Sequence, residues 1–138
     1  MYHHIAVPVD LTHTDTLTGA LRTAADLAGL YRAKLTLVGV TGPAPSEVAH
    51  NPSEFKTKLE QLAERLQAQV GQSVNVHVVL TADPTVDLEK ALNSAFHELG
   101  ADLAVMATHV PTFSDYVFRS HGNYLATHTD LSVLLVRH

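Results

Sequence analysis

Short apolar runs alternate with longer amphipathic stretches along this chain, and that alternation limits the possible folds more than any other feature. Ile5-Ala6-Val7-Pro8-Val9 is apolar and β-branched and ends at Asp10, so it reads as a buried strand running into a loop. Leu35 to Val40 is a second apolar run too short for a helix, Leu103 to Ala107 reads as the next buried strand, and Val133 to Val136 as the last strand. Val74 to Leu80 differs, because Asn75 and His77 interrupt it at every second position. It reads as a half-exposed edge strand. His3-His4 reads as strand-edge sequence.

Between these runs, apolar residues recur at helical spacing. Leu17, Leu21, Ala24, Ala25 and Ala28 form one stripe, with Thr12 as the expected cap, Asp15 in the first turn and an end near Gly29 to Tyr31. Phe55, Leu59, Leu62, Leu66 and Val70 form the strongest stripe. Asn51 caps it, Pro52 takes the first helical position, and Glu54 is placed for a capping box. Asp83-Pro84 opens a third helix with Leu88, Ala91, Leu92, Ala95 and Leu99 inward, and Gly100 stops it. Tyr116 to His128 is the expected last helix. Thr41-Gly42-Pro43-Ala44-Pro45 is loop. Strand and helix in regular alternation predict an α/β fold with a five-stranded parallel sheet, doubly wound, with helices on both faces.

The 138 residues fit a single domain spanning 1–138. With no cysteine, disulfides, thiolate catalysis and cysteine metal sites are excluded. Nine basic residues are scattered among fourteen acidic ones, so nothing here attracts nucleic acid. No apolar run approaches the roughly 18 residues that span a bilayer, so no membrane is expected and the expected location is cytoplasmic.

In doubly wound sheets, ligands bind outside the carboxyl ends of the strands where strand order reverses. Five strands most commonly follow the order 2-1-3-4-5 or a relative of it, which puts the reversal beside the first strand. Pro8, Val9 and Asp10 end that strand. A carboxylate there is placed to accept hydrogen bonds from ribose hydroxyls; the competing reading is a loop or capping aspartate. Thr108 to Asp115 opens into a helix whose N-terminal N–H groups favour anions, with Ser114 and Ser120 as added donors. The chain has no Walker loop, no dinucleotide glycine fingerprint, no nucleophile elbow and no zinc-protease motif. His121 and His128 are two helical turns apart, about 10 Å along the axis, too far for one ion, so no metal site is expected.

Three segments carry a resemblance. Tyr2-His3-His4-Ile5-Ala6-Val7-Pro8-Val9-Asp10, Ala101-Asp102-Leu103-Ala104-Val105-Met106-Ala107-Thr108-His109 and Leu131-Ser132-Val133-Leu134-Leu135-Val136-Arg137 are similar to the first strand, the fourth strand with its loop, and the closing strand of the universal stress protein family. The resemblance spans nearly the whole chain and is poorest over Gly42 to Ser73. It implies a Rossmann-like fold of the adenine nucleotide alpha hydrolase type. Nucleotide-binding members bind ATP through G-x2-G-x9-G followed by Ser or Thr. Ala107, Val110 and Arg119 stand at the three glycine positions, and Ser120 alone fits. Thr108-His109-Val110-Pro111 resembles a subgroup with a Ser-His-Arg-Pro loop, which also lacks the first two glycines.

By the resemblance, adenine lies between Pro8 and Val9 and the second-strand end at Val40, and Asp10 holds the ribose. Met106 and Ala107 end the fourth strand in the same binding set. His109, Ser120, His121 and Gly122 line the phosphate side, with Pro111 and Arg119. Competing readings are plain core for Val40 and a surface helix position for His121. Arg119 either blocks the phosphates or clamps them with its guanidinium; the reading favours weakened or altered binding. Mg²⁺ would arrive with the phosphates. The resemblance further implies a stress-response protein acting as a ligand-dependent regulator, and a homodimer formed by pairing of the closing strand, Val133 to Val136, with its copy. The alternative is a dimeric interaction module with a degenerate pocket that takes no nucleotide. No catalytic residue is assigned, although His109 leaves slow ATP hydrolysis open.

Overall fold

The computed structural model describes residues 1–84, 86–107 and 131–137. The expected last helix and the loop before it lie outside them. The elements are β1 (His4–Pro8), a 3₁₀ segment (Leu11–Leu17), α1 (Thr18–Tyr31), β2 (Lys34–Thr41), α2 (Pro52–Val70), β3 (Asn75–Leu80), α3 (Leu88–Leu99), β4 (Leu103–Ala107) and β5 (Ser132–Val136). The five strands form one sheet with every pairing parallel.

Strand order is β3-β2-β1-β4-β5. The chain adds β2 and then β3 on one side of β1, and crosses to the other side for β4 and β5. The third strand therefore sits outside β2, a relative of the commonest order. The reversal still falls beside β1. Burial agrees with the order: β4 is buried at all five positions, whereas no residue of β3 is. Asn75 and His77 are tolerated because β3 is at the edge.

Alternation along the strands feeds two cores. Ile5, Val7, Leu35, Leu37 and Val105 point to one face, where they meet Leu21 and Ala24 of α1 and Leu59 and Leu66 of α2. Ala6, Val38, Ala104 and Met106 point to the other face and meet Leu92, Ala95 and Phe96 of α3. Each large side chain buried this way contributes about 1.5–3 kcal/mol. Gly39 in β2 has a packing reason: a Cβ there would lie 2.6 Å from the Phe55 ring.

The helix ends follow capping chemistry, with three departures from expectation. Asn51 caps α2 by accepting from Glu54 N at 2.8 Å, and Pro52 takes the first turn as expected. Glu54 reaches back to His50 N at 3.3 Å, one residue beyond a standard capping box. At the start of the α1 region, Asp10 rather than Thr12 is the cap, because its carboxylate accepts from Thr12 N and begins a 3₁₀ segment before α1. Asp83-Pro84 forms a turn, closed by Asp87 N donating to Asp83 O at 2.8 Å, so the regular helix starts only at Leu88. Beyond the helix ends, His4 is more than strand-edge sequence. Its Nδ1 lies 2.8 Å from Leu99 O and its Nε2 2.7 Å from Thr36 Oγ1. A carbonyl only accepts, so Nδ1 carries a proton and donates to Leu99 O, and in the neutral ring Nε2 accepts the Thr36 hydroxyl hydrogen. One imidazole thus ties β1, β2 and the end of α3.

Candidate functional site

Val9 N–H still bonds Val38 O at 2.8 Å, which extends the pairing of β1 and β2 one residue beyond β1. There the two chains part. One turns into the 3₁₀ segment and the other into the loop after Thr41. The gap they leave is a cleft of about 810 Å³, lined from the β1 side by Pro8, Val9 and Asp10 and from the β2 side by Val38, Val40 and Thr41. Phe55 of α2 and Leu88 and Leu92 of α3 also line it. This volume lies in the range of roughly 300–1,000 Å³ usual for small-molecule sites.

The outer wall is two loops pressed together. Gly42 and Pro84 face each other so closely that a Cβ on Gly42 would lie 2.9 Å from the Pro84 ring. Thr81 N donates to Thr41 O at 3.0 Å, and Thr81 Oγ1 donates to Asp87 Oδ2 at 2.7 Å. The loop after Gly42 is held in turn by Ser46 N donating to Ala49 O at 2.8 Å and by the Lys58 ammonium donating to Val48 O.

Asp10 is the acidic group among the described lining residues, its side chain 27% exposed. Oδ1 accepts from Thr12 N at 3.0 Å and Thr12 Oγ1 at 2.6 Å. Oδ2 faces His13 Nδ1 at 3.1 Å. Burial works to raise the pKa, but the Thr12 and His13 bonds outweigh it and hold the carboxyl below its ordinary 3.8. The group is therefore an anion with donors already around it at neutral pH. No Lys or Arg stands among the described lining residues. An apolar slot ending in a carboxylate can take a flat heterocycle and a hydroxylated group beside it. Among the described residues, no three His, Asp or Glu side chains gather closely enough to hold a metal ion.

The universal stress protein family matches residues 1–137, the whole chain but its last residue. This chain belongs to that family. Universal stress protein G of Salmonella typhimurium is 28% identical over 142 residues, covering 99% of this chain and 100% of that protein. A universal stress protein solved in complex with cAMP superposes with a TM-score of 0.68 at 22% identity, covering 99% of this chain and 97% of that one. The universal stress protein from Archaeoglobus fulgidus in complex with dAMP gives 0.64 at 18% identity, with 97% of each chain covered. The two structures share the fold of the present one.

Within this universal stress protein fold, the cleft brings together Pro8, Val9, Asp10 and Val40 of the expected set. Met106 and Ala107 are buried at the end of β4 and are not among the described lining residues; Met106 packs with Leu92 and Phe96. His109, Pro111, Arg119, Ser120, His121 and Gly122 lie outside the described residues. Sequence reasoning missed Thr12 and His13 as partners of Asp10. The Asp-x-Thr spacing was the available signal, since an aspartate commonly bonds the backbone two residues on. It also missed Phe55, Leu88, Leu92 and Pro84, whose helical and turn spacing gave no sign of a cleft.

Proposed function

We propose that this universal stress protein binds an adenine nucleotide, ATP or a close relative, in the cleft between the ends of β1 and β2. The observation that carries the reading is the junction of the apolar slot at Val9 and Val40 with the partly buried Asp10 carboxylate. The base stacks in the slot and Asp10 accepts from the sugar. The donor set fits a nucleoside: an anionic acceptor for hydroxyls, apolar walls for the ring and a volume that admits both. That two relatives of the same fold are described in complex with cAMP and dAMP supports the base and sugar assignment. Phosphates, with Mg²⁺ where they carry it, are left to the His109, Ser120, His121 and Gly122 side.

In this reading the whole of 1–138 works as one domain, in the cytoplasm, as a ligand-dependent regulator of a stress response rather than as a fast enzyme. The Thr108-His109-Val110-Pro111 segment aligns it with the Ser-His-Arg-Pro subgroup. Arg119 in place of glycine weakens or alters phosphate binding. The closing strand pairs with a second copy: β5 is the terminal strand among the described elements, and Leu134 is exposed on it. Light scattering should return the mass of a dimer. One observation favours the alternative of a dimer module with a degenerate pocket, namely the absence of any Lys or Arg among the described lining residues. A melting experiment separates the two. ATP-Mg²⁺ at about ten times its Kd should add about 1.4 kcal/mol and raise Tm by roughly 3–6 °C. An unchanged Tm at millimolar ATP-Mg²⁺ overturns the nucleotide reading and leaves the alternative.

A further inference from the structure

We propose that Thr12 and His13 make the cleft indifferent to which ribose hydroxyl a nucleotide carries, so that ribonucleotides and deoxyribonucleotides bind alike. The inference rests on the reading of Asp10 as the sugar-binding group. A carboxylate offers about four lone-pair positions. Thr12 fills two of them at Oδ1, with its backbone N–H at 3.0 Å and its hydroxyl at 2.6 Å. His13 Nδ1 covers a third, at Oδ2, with its one N–H shared between that oxygen at 3.1 Å and Thr12 Oγ1 at 2.7 Å, and the sharing locks the cluster internally. The backbone is committed to it as well: His13 leaves helical geometry within the 3₁₀ segment, at φ −134° and ψ 44°.

One acceptor position therefore remains for a ligand, on Oδ2. A vicinal diol held through both hydroxyls needs two. With a single position, whichever hydroxyl is present takes it and the other faces water. Loss of either hydroxyl alone is nearly silent, and loss of both removes the bond.

The test is calorimetric titration of the full chain with ATP, 2′-deoxyATP, 3′-deoxyATP and 2′,3′-dideoxyATP, each with Mg²⁺. The first three should bind within about threefold of one another, and the dideoxy compound about tenfold more weakly. His13→Ala frees a second position on Oδ2, so ATP should then outbind both monodeoxy forms by about tenfold. That ratio is insensitive to a purely structural role of His13. A preference of the unmodified protein for ATP over both monodeoxy forms of about tenfold or more overturns the inference while leaving nucleotide binding intact. An unchanged ratio in His13→Ala overturns the role given to His13. Equal binding of the dideoxy form, or no binding by any of the four, overturns the sugar assignment of Asp10 and the inference with it.

Discussion

At the amino ends of the strands, the Asp102 carboxylate accepts from the backbone N–H groups of His3 and His4, at 2.9–3.1 Å. At the carboxyl ends, the Asp10 carboxylate accepts from Thr12 and from the His13 imidazole. Both carboxyls sit below their ordinary pKa, and in both cases hydrogen bonds overcome the effect of burial. The partners differ in kind. Backbone donors at the start of a strand are fixed by the sheet, so Asp102 fastens the fold and His4 completes the seam. Asp10 takes its bonds from a turn N–H, a hydroxyl and an imidazole at the mouth of a cleft, and they leave an acceptor position on Oδ2 for a further donor. A perturbed carboxylate is thus informative about function only when its partners leave it such a position beside a cleft.

The comparison predicts unequal costs along α3, whose last turn packs at the closed end while Leu88 and Leu92 in its first half line the cleft. Phe96→Ala should cost about 3–5 kcal/mol, because the void is enclosed by Ala6, Ala104 and Met106. Leu92→Ala should cost only about 2–3 kcal/mol, since its void opens into the cleft, where water enters. Urea denaturation measures both, and equal losses would break the contrast. Next in size, Asp102→Ala should cost about 2 kcal/mol of stability and leave ATP affinity within twofold or so. A parallel loss of affinity would mean that the two ends are coupled.

Legibility followed the same division. Four strands were readable as short apolar runs, because strands packed between helices ask for little else. The edge place of β3 was readable from Asn75 and His77. The lateral order was not, because periodicity along a strand carries no information about its neighbours. The capping of α2 was written in Asn51-Pro52, yet at the start of α3 the same logic misled: Asp83-Pro84 closes a turn, and the chain needs four more residues to clear the loop it packs against at Gly42. In the site, the place of Asp10 at the strand ends followed from the expected reversal beside β1, which holds although the full order differs. Phe55 and Leu92 were not legible, since a side chain that lines a cleft and one that fills a core share the same helical spacing.

Asp10→Ala sharpens the contrast from the other side. It should cost only about 1 kcal/mol of stability, the worth of a cap whose turn is partly wet, but weaken ATP by about tenfold. Denaturation and titration of the same sample check it. A stability loss as large as that of Asp102→Ala, with affinity unchanged, would reclassify Asp10 as structural.

The smallest effect expected is on acid stability. The unfolded carboxyls take up protons near 3.8, while Asp10 and Asp102 resist protonation in the fold. Each contribution is therefore complete above about pH 3.8 and is lost as pH falls through the lowered folded value. Asp102→Asn should flatten that fall with or without nucleotide. Asp10→Asn should flatten it more when ATP is bound, because a hydroxyl donated to Asp10 deepens its preference for the ionised form. Urea midpoints followed from about pH 5 to about pH 2.5 resolve the two. If ATP steepened the acid response of Asp10→Asn as much as that of the parent chain, the nucleotide would be making its bond elsewhere, and the open end of the sheet would lose the property that separates it from the closed one.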